Sequence, residues 1–104
     1  MSNLLIIGTQ KLDIVCKKLS KLSNYYQQIN TVAMSSVVSP EIKDWACLLC
    51  DQIDEANKEI LHLYYRINVY NTQQELQNVV HQIDVMDIEI SAIIREYKEF
   101  ACLI

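Results

Sequence analysis

A chain of 104 residues, 51% apolar and with a formal charge of −4, has material for one small domain with a single core. Its thirteen Asp and Glu against nine Lys and Arg argue against a nucleic-acid binder, and no run approaches the roughly 18 apolar residues of a membrane-spanning helix. The start has no basic segment, extended apolar run or small-residue cleavage site, and four cysteines suit a reducing compartment, so a cytoplasmic or nuclear protein is expected.

Residues 1–8 end at the only glycine, Gly8, and are expected to fray or to act as a docking segment. Beyond it Leu12, Val15, Leu19, Leu22, Tyr26, Ile29 and Ala33 step by three and four residues, the spacing of one helical stripe, which predicts a first helix over about 9–33. This segment holds Lys11, Lys17, Lys18 and Lys21 against Asp13, whereas both later segments are acidic. Complementary packing of the basic helix on acidic neighbours is expected, with lysine stems covering core edges. The alternative is a basic patch for phosphate or anionic lipid; without arginine or interleaved aromatics, the lysines make a weak case for nucleic acid.

A loop over 34–39 then leads to the only proline. Ser39 can cap a helix with its hydroxyl, Pro40 suits the first helical position, and Glu41 and Asp44 sit where the helix dipole favours negative charge. The second helix, about 40–70, has the most regular stripe: Ile42, Ala46, Leu49, Ile53, Ala56, Ile60, Leu63, Ile67 and Tyr70 form a heptad seam.

Thr72 and Glu75 have capping-box spacing, and the seam slips at the same place. Continued from Tyr70 it would bury Gln74 and Gln77; instead it restarts at Leu76 and runs through Val79, Ile83, Met86, Ile90, Ile93, Tyr97, Phe100 and Ile104. A hairpin explains both facts and predicts a third helix over about 72–102; the alternative is one unbroken helix from Pro40 to the end. The expected fold is therefore all-α, an antiparallel, coiled-coil-like bundle of three helices in a single domain over 1–104, about 40 Å long.

The apolar content exceeds what three seams need. Trp45, Leu48, Leu61, Tyr64, Tyr65 and Val69 on the second helix lie off its stripe, as do Val80, Val85, Ile88 and Ile94 on the third, where Val85, Ile88 and Ala92 make a second face. Such surplus on a small bundle points to an interface with a helical protein partner or with another copy of the chain, as a homodimer or larger oligomer. The expected function is thus a non-catalytic interaction module, a small subunit or adaptor of a larger assembly.

Two other readings compete with it. Asp51, Asp54, Glu55, Asp84, Asp87 and Glu89 would suit a small acidic inhibitor or immunity-type protein, viral or bacterial, that masks a basic site. A metal- or redox-active bundle would use Cys47 and Cys50, spaced Cys-x-x-Cys, with His62 and His81. Against it, the pair starts about two turns inside a helix and not at its N-terminus, and no second close ligand pair exists. There is no glycine-rich phosphate loop and no serine in a nucleophile setting, so neither an enzyme, a cofactor, a small-molecule substrate nor a membrane partner is expected.

Overall fold

Ser39 and Thr72 begin the two longest helices through the same device. Each has extended backbone and accepts a hydrogen bond from the N–H three residues on, Ser39 Oγ from Ile42 at 3.4 Å and Thr72 Oγ1 from Glu75 at 3.1 Å. The Glu75 carboxylate reaches back to the N–H of Asn71 at 2.8 Å, one residue before the cap. The computed structural model describes residues 3–104, and its helices are α1 (Asn3–Ser23), α2 (Tyr26–Ala33), α3 (Pro40–Val69) and α4 (Gln73–Ala101), with no strand among the described residues. The all-α class holds, and α3 and α4 form a hairpin through an extended Tyr70 instead of one long helix.

The expectation of three helices does not hold, because the first of them is two. At Asn24 and Tyr25 the helix tightens and stops: the Tyr25 N–H bonds back three residues, to the Leu22 carbonyl at 3.1 Å. Ser23, Asn24 and the paired tyrosines are weak helix formers, and the tyrosines pull in different directions. Tyr25 stacks on Tyr97 of α4, ring centres 4.6 Å apart, while the Tyr26 hydroxyl donates to Asp54 of α3 at 3.1 Å. The start also differs from expectation, since α1 begins at Asn3 and passes through Gly8 without interruption. Met1 and Ser2, the rest of the segment expected to fray, lie outside the described residues.

α1 packs on both α3 and α4, and α2 continues along α3. Ser23 meets Asn57 and Tyr26 meets Asp54, so this edge runs antiparallel to α3; Lys11 meets Asp84 and Tyr25 meets Tyr97, so it runs parallel to α4. The molecule measures 55 × 19 × 17 Å, longer than expected, because the 30 residues of α3 alone span about 45 Å.

The three apolar stripes meet in one core. Leu12, Leu22 and Ile29 are shielded together with Leu49, Ile53, Leu63, Leu76, Ile83, Ile90 and Phe100, and no polar or charged residue among those described is buried. Burial of each large aliphatic side chain stabilises the fold by about 1.5–3 kcal/mol, so the stripes, more than any polar contact, hold the bundle together. Exceptions fall at the ends: Ile42, Tyr26 and Tyr70 are half-buried, and Ile104 is exposed. No described helix is long and apolar enough to cross a membrane.

Candidate functional site

On each long helix, the row beside the core stripe keeps the same spacing but changes its chemistry. Gln52, Glu55 and Glu59 on α3 lie next to Ile53, Ala56 and Ile60; Gln82, Val85, Glu89, Ala92 and Glu96 on α4 lie next to Ile83, Met86, Ile90 and Ile93. These two rows line a groove of about 600 Å³ between α3 and α4. Its apolar lining is Ala56, Val85, Met86, Ala92 and Ile93, and its polar lining includes five carboxylates, Asp51, Glu55, Glu59, Glu89 and Glu96, without one Lys or Arg.

The remaining acidic residues of the expected acidic face are used elsewhere. Asp84 and Asp87 receive the ammonium groups of Lys11 and Lys18 from α1, at 2.9 and 2.7 Å, which is the complementary packing that the charge distribution suggests. Asp54 accepts from Tyr26. The six carboxylates therefore do not form one continuous surface; Asp51, Glu55 and Glu89 belong to the groove, and Glu59 and Glu96 join them. At one end Trp45 donates its indole N–H to Glu96 at 3.1 Å and sets its ring edge-on to Phe100, centres 5.6 Å apart.

The surplus apolar residues divide into three groups. Val80 does not lie at the surface: it is buried against Gly8 and belongs to the core. Trp45, Tyr64 and Ile94 are half-buried and pack on that core, and Val85 is half-buried in the groove. Leu48, Leu61, Tyr65, Val69 and Ile88 are exposed, with Leu61 at 71%, Tyr65 at 65% and Ile88 at 70% facing solvent. Leu61, Tyr65 and Val69, four residues apart, make an outward row on α3; Ile88 stands on α4, and Leu48 precedes Gln52 by one turn on the groove row.

No protein family, curated protein or solved structure matches this chain. The site is therefore read from its own geometry.

That geometry does not assemble the thiols and imidazoles. Cys47, His62 and His81 are exposed and Cys50 is buried, and no three His, Cys, Asp or Glu side chains among the described residues are placed to share a metal ion. Burial first, then the nearby Asp54 carboxylate, pushes the Cys50 thiol above its ordinary value and keeps it protonated, which is unfavourable for a nucleophile. Cys16 is half-buried beside Tyr64, whose phenol is raised by burial and then by its hydrogen bond to that thiol. Sequence reasoning missed Gln52, Glu59, Gln82 and Glu96 as neighbours because polar and acidic side chains do not register in an apolar count, although their spacing was legible.

Proposed function

We propose that the protein is a non-catalytic helical interaction module, a small subunit or adaptor of a larger assembly, that receives a partner helix on the open side of the α3–α4 hairpin. The observation that carries this reading is the groove itself: α1 and α2 cover the other side of the hairpin, while here the half-buried Val85 and the exposed Ala92, over the core residues Met86 and Ile93, line a groove that no described helix fills. Helical bundles complete such faces with another helix, and an apolar lining with charged sides suits a reversible contact. The exposed Leu61, Tyr65 and Ile88 offer further contact area. Free thiols at Cys16, Cys47, Cys50 and Cys102 favour a cytoplasmic or nuclear setting for the assembly.

Size-exclusion chromatography of native extracts tests the reading. The wild-type chain is expected to elute in an assembly well above its own 12.1 kDa, and Val85→Glu with Ala92→Glu, both outside the main core, is expected to release it as a folded monomer. A wild-type chain that elutes alone would remove the proposal.

The run of groove carboxylates favours a second reading, an acidic inhibitor that masks a basic site on its target. The two differ in kinetics. An electrostatic blocker loses association rate steeply with salt, whereas a subunit held by apolar packing does not.

A further inference from the structure

The rows that line the groove specify more than an empty place for a helix. Its carboxylates stand on both sides, Glu55 and Glu59 from α3 and Glu89 and Glu96 from α4. Asp51, Glu59 and Glu89 make no ion pair among the described residues, and Glu55 has only the exposed Lys58 ammonium at 3.6 Å. On the α3 wall, Gln52 Oε1 is buried without a donor. Between the walls the lining is aliphatic or small, with Val85, Met86, Ala92 and Ile93 from α4 and Ala56 from α3.

Resting on the interaction reading above, we infer that the occupant is a basic amphipathic helix of a different protein. Its aliphatic stripe lies on Val85 and Ala92, over a floor of the core residues Ala56 and Ile93, and lysine or arginine side chains on both flanks meet the carboxylates. The groove follows α4 from Gln82 to Glu96, which at 1.5 Å per residue corresponds to a partner helix of about four turns. A Lys or Arg stem packs along the apolar lining while its head reaches the wall, so both kinds of side chain are used together. A turn of the half-buried Gln52 side chain into the groove would let a partner donor satisfy its Oε1.

A second copy of this chain fits poorly. It carries −4 overall, and two grooves face to face would set ten carboxylates against one another. The basic element is α1, yet Lys11 and Lys18 are held by Asp84 and Asp87, and Lys17 by Asp13 at 3.1 Å. What remains of α1 is no basic stripe.

The test is a titration of the whole isotopically labelled protein, followed by amide NMR, with three synthetic peptides of about four helical turns. One carries a Leu/Ile stripe flanked by Lys and Arg; the second keeps the stripe but has Glu at the flanks; the third has the composition of the first, shuffled to destroy the stripe. The first peptide is expected to shift amides of 51–59 and 82–96 and to bind about tenfold more weakly to the Glu55→Gln, Glu59→Gln, Glu89→Gln variant. The other two should bind at least about tenfold more weakly than the first. Equal binding of the Glu-flanked or shuffled peptide, unchanged affinity of the triple variant, or shifts confined to other faces would overturn the inference. So would a concentration-dependent dimer of the pure protein that Val85→Glu dissolves. In each of these cases the interaction reading stands if Val85→Glu with Ala92→Glu still dissolves the native assembly, and falls with the inference if it does not.

Discussion

A methyl group built on the α-carbon of Gly8 would stand 2.8 Å from Val80 Cγ2 and 3.1 Å from Ile67 Cδ1. The glycine that resembles a helix breaker in the sequence is instead a place where α1 closely approaches the end of α3 and the start of α4. Gly8→Ala gains about 1 kcal/mol of helix propensity but must displace a stiff valine, an overlap that costs about 1–3 kcal/mol. We expect a net loss of thermal stability in Gly8→Ala and a smaller loss, or a gain, when the same change is made in a Val80→Ala background. Equal effects in the two backgrounds, measured by thermal melts, would show that the contact does not limit the packing.

Ile60 and Ile90 lie on the seams of α3 and α4 and are 4% and 0% exposed. An aspartate at either place buries a charge without a partner, at a cost of several kcal/mol, about the whole stability of a domain this size. Ile60→Asp and Ile90→Asp should each lose the cooperative helical melt followed by circular dichroism. Leu61→Asp, one residue from the seam at an exposed site, should melt as the wild type does. A native melt for either seam variant would contradict the core assignment.

Alkali should weaken the fold through groups that hold their protons more tightly when folded. The Cys50 thiol is raised above 9.0 by burial and then by Asp54, and the Tyr64 and Tyr97 phenols are raised above 10.0, in both cases first by burial. Because the folded values lie above the unfolded ones, their contribution is complete below the unfolded values and is lost as pH rises through the folded ones. Melting temperatures should hold to about pH 8.5 and fall beyond it, with Cys50→Ala removing the portion that begins near the thiol value. An unaltered slope in that variant would assign the alkaline loss to other groups.

The pairs Lys11 with Asp84 and Lys18 with Asp87 link α1 to α4, but their side chains are 39–51% exposed. Exposed pairs contribute about 0.2–1 kcal/mol each and are screened by salt. Replacing both lysines by methionine, which keeps an apolar stem, should lower stability by about 1 kcal/mol in dilute buffer and by much less in about 1 M salt. Unchanged stability in dilute buffer would mean that the stems, which methionine keeps, and not the charges, hold the two helices together.

Much of the fold was legible because helical seams are local. Leu49, Ile53, Leu63, Ile83 and Ile90 could be assigned to the core from spacing alone, and Ser39 and Thr72 cap as their neighbours suggest, because caps act within one turn. The break at Asn24 and Tyr25 was not legible. The apolar stripe runs through it in register from Leu22 to Ile29, and the interruption comes from Tyr25 and Tyr26 gripping separate helices.

What the chain alone determines is therefore a set of apolar stripes, their ends and their length, since each depends on residues within a few positions of one another. Which carboxylates are neutralised and which stay open was decided only in three dimensions. Asp84 and Glu89 are less than two turns apart on the same helix, but α1 packs along one side of α4 and brings lysine to Asp84, leaving Glu89 to the groove on the other. That assignment depends on the side from which a helix some seventy residues earlier in the chain approaches, and short-range spacing carries no record of it.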